Sequence, residues 1–193
     1  MDIETIALHG AYEPDAATGA SVTPIHQTNA FAYASAHDIA AVFKGQAPGY
    51  IYSRIGNPTT SAFEQRLARM ENGIGCLSCS SGMAAISTVV LGLTRAGDHI
   101  VAARGIFGGT VSLLSKTVSR FGVETTFIDA TKSSDVEAAI RPNTKLIFVE
   151  TITNPAMAVP DLPLIADIAH RAGIPFVVDN TVATPVLIRP GEW

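Results

Sequence analysis

Beyond residue 58 the apolar positions keep two rhythms in alternation. The stretch TTSAFEQRLARMENG sets Phe63, Leu67 and Met70 on one helical face and ends at Asn72-Gly73, a stop signal. SSGMAAISTVVLGL reads as an apolar helix with a Ser/Gly start, and GTVSLLSKTVSRFG carries Val111, Leu114, Val118 and Phe121 at helical spacing before Gly122. SSDVEAAI predicts a short helix, and DLPLIADIAHRAG one capped by Asp161 and stopped by Gly173. Between them lie GCLS, HIVAA, ETTFI, KLIFVE and PFVVD, five short runs that read as strands. These strands are continuously apolar rather than alternating. That pattern predicts an α/β fold with a mostly parallel sheet covered on both faces.

Residues 1–50 behave differently. They lack a clear period, hold Pro14, Pro24 and Pro48, and offer one helix candidate from Ala36 to Lys44, with Ser35 as its cap. This predicts an extended N-terminal arm, with the remaining residues, 51–193, forming the sheet domain.

Composition narrows the classes. Hydrophobic residues make up 47% and charged residues 16% of the 193, a globular balance. A net charge of −4 without any Lys/Arg cluster argues against nucleic acid as a partner. No apolar run is long enough for a membrane span, and MDIETIALHG has neither a basic n-region nor an apolar h-region. A cytoplasmic location is the resulting expectation. Cys76 and Cys79 form a CxxC, but the five scattered His supply no second pair of metal ligands. The expectation is therefore two buried or half-buried thiols and no metal.

Parallel sheets bind ligands at the carboxyl ends of their strands, so the residues after each strand are the informative ones. These are Ser80-Ser81-Gly82, Arg104 to Phe107, Glu150 to Asn154, and Asp179-Asn180-Thr181. SSGMAAI places a small-residue turn at a helix start, where backbone N–H groups can hold an anion or Ser can simply cap. Neither G-x-x-x-x-G-K-[ST] nor G-x-G-x-x-G after a strand is present, which turns the reading away from nucleotides. Asp179 ends an apolar run, where an acid can cap a helix or stay solvated, or, in an apolar crevice, meet a cationic partner such as a protonated pyridine nitrogen. In YIYSRIGNPTT, Tyr52 and Arg54 share one side of an extended segment and could clamp a phosphate.

In this order and spacing, YIYSRIGNPT, SSGMAAI, GDHIVAARGIFGGT, ETITNPAMAVPD and VVDNTVATP resemble the cystathionine γ-synthase family. These are pyridoxal-phosphate enzymes of Cys/Met metabolism with the aspartate-aminotransferase fold, PLP-dependent fold type I. The resemblance also takes in ETIALHG and TPIHQTNAF near the N-terminus, and so runs along essentially the whole chain. It implies that Asp179 pairs with the pyridinium nitrogen and that Asn154 bonds the ring's phenolic oxygen. It further implies that Gly82 and Met83 offer backbone donors to the phosphate, with Ser81 and Thr181 also among the cofactor-binding positions. Tyr52 and Arg54 match phosphate contacts supplied to a neighbouring subunit, implying a homo-oligomer built from dimers that share active sites, a homotetramer. The incomplete large domain would be residues 51–193, because the family's Schiff-base lysine lies beyond Trp193. None of Lys44, Lys116, Lys132 and Lys145 matches it, so the 193-residue chain alone is expected to be inactive.

One position departs from the family. Phe107 stands where a ring-stacking Tyr is usual. Phe stacks but cannot exchange a proton with a leaving group. Acetate or succinate needs less help from an acid than a thiolate does, which leans toward an O-acylhomoserine substrate. By resemblance, HGAYEPDAATGASVTPIHQTNAF and YSRIGNPTT are most similar to the O-acetylhomoserine sulfhydrylase group. The implied reaction is γ-replacement on an amino-acid substrate, sulfhydrylation of O-acetylhomoserine to homocysteine in methionine biosynthesis. Methionine γ-lyase and cystathionine γ-synthase are the enzymatic alternatives. A truncated, catalytically dead fragment is the non-enzymatic one.

Overall fold

The computed structural model describes residues 2–193, which form two compact units, one running to Ser78 and the other from Cys79 to Trp193. The expected N-terminal arm lies within the first unit. That unit holds three helices, α1 (Ile3–His9), α2 (Ala36–Phe43) and α3 (Pro58–Met70). Local chemistry explains where the last two start. Ser35 Oγ accepts the Asp38 N–H at 3.1 Å, and Asn57 Oδ1 accepts the Thr59 N–H at 2.9 Å with Pro58 in the first turn. Helix α1 is an addition to the expected arm. Its seven residues are too few for a legible period, and it packs on α3.

GCLS does not form the expected strand. Residues 75–78 join no ladder, and Ser78 instead gives its N–H and hydroxyl to Glu64 at 2.8 and 2.9 Å. A strand needs a neighbour for its backbone groups, and here a side chain takes that place. Cys76 is half-buried, but Cys79 is exposed, which corrects the expectation of two covered thiols. Neither forms a disulfide, and no cluster of His, Cys, Asp or Glu among the described residues could hold a metal.

The second unit is built on a four-stranded parallel sheet. Its elements are α4 (Gly82–Leu93), β1 (His99–Ala103), α5 (Gly108–Ser112), β2 (Glu124–Ile128), α6 (Ser133–Ala139), β3 (Thr144–Glu150), α7 (Leu162–Arg171), β4 (Phe176–Asp179) and α8 (Thr184–Leu187). The spatial order is β2-β1-β3-β4. The two central strands are buried on both faces: every residue of β1 is buried, and of β3 only Lys145 is not. They interlock with Val90 of α4, Leu113, Leu114 and Val118, Val136 of α6, and Leu162, Ile165, Ile168 and Ala169 of α7. His99, at the start of β1, is fully buried and pairs its ring nitrogens with the hydroxyls of Thr144 and Thr126 at 2.9 and 2.8 Å. Burial holds its pKa below the ordinary value. The nearby Arg141 adds to this, and Glu124 opposes it.

The expected single helix from Gly109 to Phe121 is broken. It begins as α5, widens to one π-turn at Leu113–Thr117, and tightens to a 3₁₀ turn at Val118–Phe121. Gly122 ends it in the left-handed region at φ +77°. Leu114 and Val118 are fully buried, whereas Phe121, expected on the same face, is exposed. The change of pitch moves it off the inner face.

Candidate active site

The chain runs from β1 outward to β2, then returns past β1 to β3 and β4. The reversal lies between β1 and β3, where open parallel sheets form a crevice beyond their strand ends. A cavity of about 270 Å³ opens there, close to the lower end of small-ligand clefts (about 300–1,000 Å³). It is lined by Phe107 after β1, by Glu150, Ile152 and Asn154 at and after β3, and by Asp179, Thr181 and Val182 at and after β4. Gly82, Met83 and Ile86 of α4 complete it.

One side of the cavity is a helix N-terminus. The Ser81 hydroxyl accepts the Ala84 N–H at 3.1 Å, and its carbonyl accepts the Ala85 N–H at 3.0 Å. Gly82 and Met83 stand at the first two helical positions, whose N–H groups have no partner within a helix. A Cβ built on Gly82 would meet nothing within 4 Å, so no protein atom demands glycine there. The space beside it is open to a ligand.

Across the cavity stand two carboxylates. Glu150 and Asp179 are register partners on β3 and β4. Asp179 Oδ1 takes both the N–H and the hydroxyl of Thr181, which orients the carboxylate and leaves Oδ2 for a ligand. Glu150 is only 4% exposed and receives the Phe107 N–H on Oε1 at 2.7 Å and the Asn154 N–H on Oε2 at 3.1 Å. Burial raises its pKa. The two N–H donors pull against that rise, and the charge of Asp179 adds to it.

Phe107 is 48% exposed, an apolar ring without a full partner at the cavity. Its ring lies over Gly109: a Cβ there would sit 2.6 Å from Phe107 Cε1 and 3.0 Å from Met83 Sδ. Glycine at 109 therefore lets the ring and the Met83 sulfur approach the backbone of α5.

Of the residues singled out by sequence, Gly82, Met83, Phe107, Asn154, Asp179 and Thr181 all line this cavity. Ser81 does not, and its hydroxyl serves as the cap of α4. Tyr52 and Arg54 belong to the first unit, where Tyr52 makes an antiparallel bridge with Ala30. The Arg54 guanidinium lies 5.2 Å from the Tyr52 ring centroid, a cation–π pair that presents both exposed groups together. Glu150 is the polar lining residue given no role by sequence. The available signal was the same as for Asp179, an acid closing an apolar run.

The donor set can be matched to a ligand: an anion at the start of α4, a cation at Asp179 and a flat ring against Phe107. The sequence profile of the Cys/Met metabolism PLP-dependent enzymes matches residues 4–193. The chain belongs to that family. It is 44% identical to the L-methionine gamma-lyase of Porphyromonas gingivalis over 97% of its own length and 47% of that protein's. It is 42% identical to the homocysteine synthase of Schizosaccharomyces pombe, over 97% of this chain and 44% of that one. A Campylobacter jejuni protein assigned as an O-acetylhomoserine (thiol)-lyase superposes with a TM-score of 0.93 at 39% identity. All of this chain and 47% of that one are covered, and the C. jejuni protein carries N'-pyridoxyl-lysine-5'-monophosphate. The chain thus spans about half the length of the relatives it matches. Members of this family depend on pyridoxal phosphate, and the cavity's three features fit the three parts of that molecule. No helix among the described residues is long and apolar enough to cross a membrane.

Proposed function

We propose that the chain cradles pyridoxal 5'-phosphate in an enzyme that replaces the γ-substituent of O-acetylhomoserine, making homocysteine from sulfide. When bound, the cofactor supplies an electron sink for the carbanion of an amino-acid substrate. The chain's own residues hold it. Gly82 and Met83 offer backbone N–H groups, at the positive end of the α4 dipole, to the phosphate. The Oδ2 of Asp179, left available by Thr181, accepts the pyridinium N–H and keeps that proton in place. Phe107 covers one face of the ring, and the Asn154 side chain hydrogen-bonds the phenolic oxygen. Tyr52 and Arg54 serve the phosphate of a neighbouring subunit in a homo-oligomer.

The observation that carries the choice of reaction is Phe107. It lines the cavity and has no hydroxyl to exchange a proton with the departing group. Acetate leaves as a stable anion, so the missing acid matters least there. The 44% identity to a methionine γ-lyase supports a second reading, γ-elimination of a thiol from methionine. Product analysis decides between them. Homocysteine from O-acetylhomoserine and sulfide, with little methanethiol from methionine, is the expected outcome. Preferential breakdown of methionine would replace the first reading with the second.

A further inference from the structure

Glu150 has no part in that reading, yet it is the most deeply buried acid at the cavity, 4% exposed. No cation pairs with it among the described residues, and the like charge of Asp179 acts on it. Burying a carboxylate under those conditions is costly, so something must require it. Its two oxygens have separate duties. Oε1 takes the N–H of Phe107 in the loop after β1, and Oε2 takes the N–H of Asn154 in the loop after β3. An ionised carboxylate presents an acceptor on both oxygens. A glutamine of the same shape presents one, and turns an N–H₂ toward the other donor.

We infer that Glu150 is a positioning residue that ties the backbone at Phe107 to the backbone at Asn154, fixing the two side chains relative to each other at the cofactor ring. The inference rests on the reading of the cavity as a pyridoxal-phosphate site. It assigns Glu150 no contact with substrate or cofactor. Two loops that follow different strands are brought to one spacing by one side chain rooted at the end of β3, between them. The strand end is held in place because β3 is buried, laddered to β1 as far as Phe148 and to β4 through Glu150 itself.

The test uses Glu150→Gln in the holoenzyme and in its cofactor-stripped form. The cofactor dissociation constant is measured by absorbance titration of the stripped protein, the cofactor's visible band is recorded, and the melting temperature is taken without cofactor. The clamp predicts a dissociation constant raised about 5- to 150-fold, the size of one unmatched buried backbone donor, together with a displaced band. Wild-type affinity and band position in the variant would overturn it, whether or not the melting temperature falls. Should Glu150→Gln not fold, Glu150→Asp carries the test. It keeps both acceptors on a shorter arm, and wild-type affinity there would equally overturn the clamp. A wild-type protein that takes up no pyridoxal phosphate at all would instead remove the reading of the cavity, and the clamp with it.

Discussion

Gly109→Ala is the sharpest probe of the ring that lines the cavity. The added methyl carbon would stand 2.6 Å from Phe107 Cε1, 3.1 Å from Cδ1 and 3.0 Å from Met83 Sδ. Carbon contacts are comfortable at about 3.5–4.0 Å, so the ring must retreat by roughly 1 Å or turn. It is 48% exposed and free to turn, which keeps the cost to the fold small. The backbone of α5 accepts alanine, and helix propensity favours it by up to about 1 kcal/mol. Stability should therefore stay level or rise while the face offered to the cofactor is lost. An aromatic stacking contact is worth about 0.5–1.5 kcal/mol, which corresponds to about 2- to 13-fold weaker cofactor binding. The neighbouring Gly108→Ala is the control, since a Cβ there meets nothing within 4 Å. Absorbance titration with pyridoxal 5'-phosphate and a thermal melt on both variants make the comparison. Equal affinities in the two variants would refute the stacking role of Phe107, and a lower melting temperature for Gly109→Ala alone would refute the reasoning about its harmlessness to the fold.

Asp179→Ala should weaken cofactor binding about 10- to 150-fold. That corresponds to one charge-assisted hydrogen bond of about 1.5–3 kcal/mol at a half-buried carboxylate; unchanged affinity would exclude it as the pyridinium partner. Phe107→Tyr should raise turnover of thiolate-leaving substrates more than turnover of O-acetylhomoserine, and equal gains would refute the leaving-group argument. In mixed oligomers, an Arg54→Ala subunit combined with one disabled at Asp179 should recover activity above either parent, which activity assays of purified hybrids can check. His99 is buried with its pKa depressed, so the unfolded chain binds the proton more readily. Its contribution to stability is fully present above the ordinary histidine pKa of about 6.5 and is lost as pH falls from there toward the folded value. Denaturant titrations from pH 7.5 to 5.5 should show that loss in the wild type and a smaller one in His99→Gln.

Local signals account for what could be read from sequence. Ser35, Ser81 and Asp161 each cap the helix expected of them, because a capping oxygen acts within three residues of itself. The central strands β1 and β3 read as apolar runs because both their faces are covered, whereas β2 and β4, at the sheet's edges, are only partly buried. What escaped the sequence depends on distant partners. GCLS has a strand's composition, but whether it pairs is decided elsewhere in the chain. The break at Leu113–Thr117 is a change of helical pitch, which a repeating apolar spacing does not record. Asp179 and Glu150 close similar apolar runs, yet only the fold shows that one faces a cavity with an oxygen to spare and the other spends both oxygens on backbone donors.

The register that sets Glu150 beside Asp179 also bears on which molecules the cavity will accept. Two acids held side by side repel, and the rigid ladder beneath them gives neither room to withdraw. A flat ring bearing a positive nitrogen relieves that repulsion on arrival, whereas an uncharged ring of the same outline relieves none of it. Discrimination between such look-alikes is thus written into the strand pairing as a difference in charge, and it would persist however well a neutral mimic filled the space. By mass action, the same relief couples occupancy to heat resistance, so the cationic ligand should raise the melting temperature more than its surface contacts alone would do.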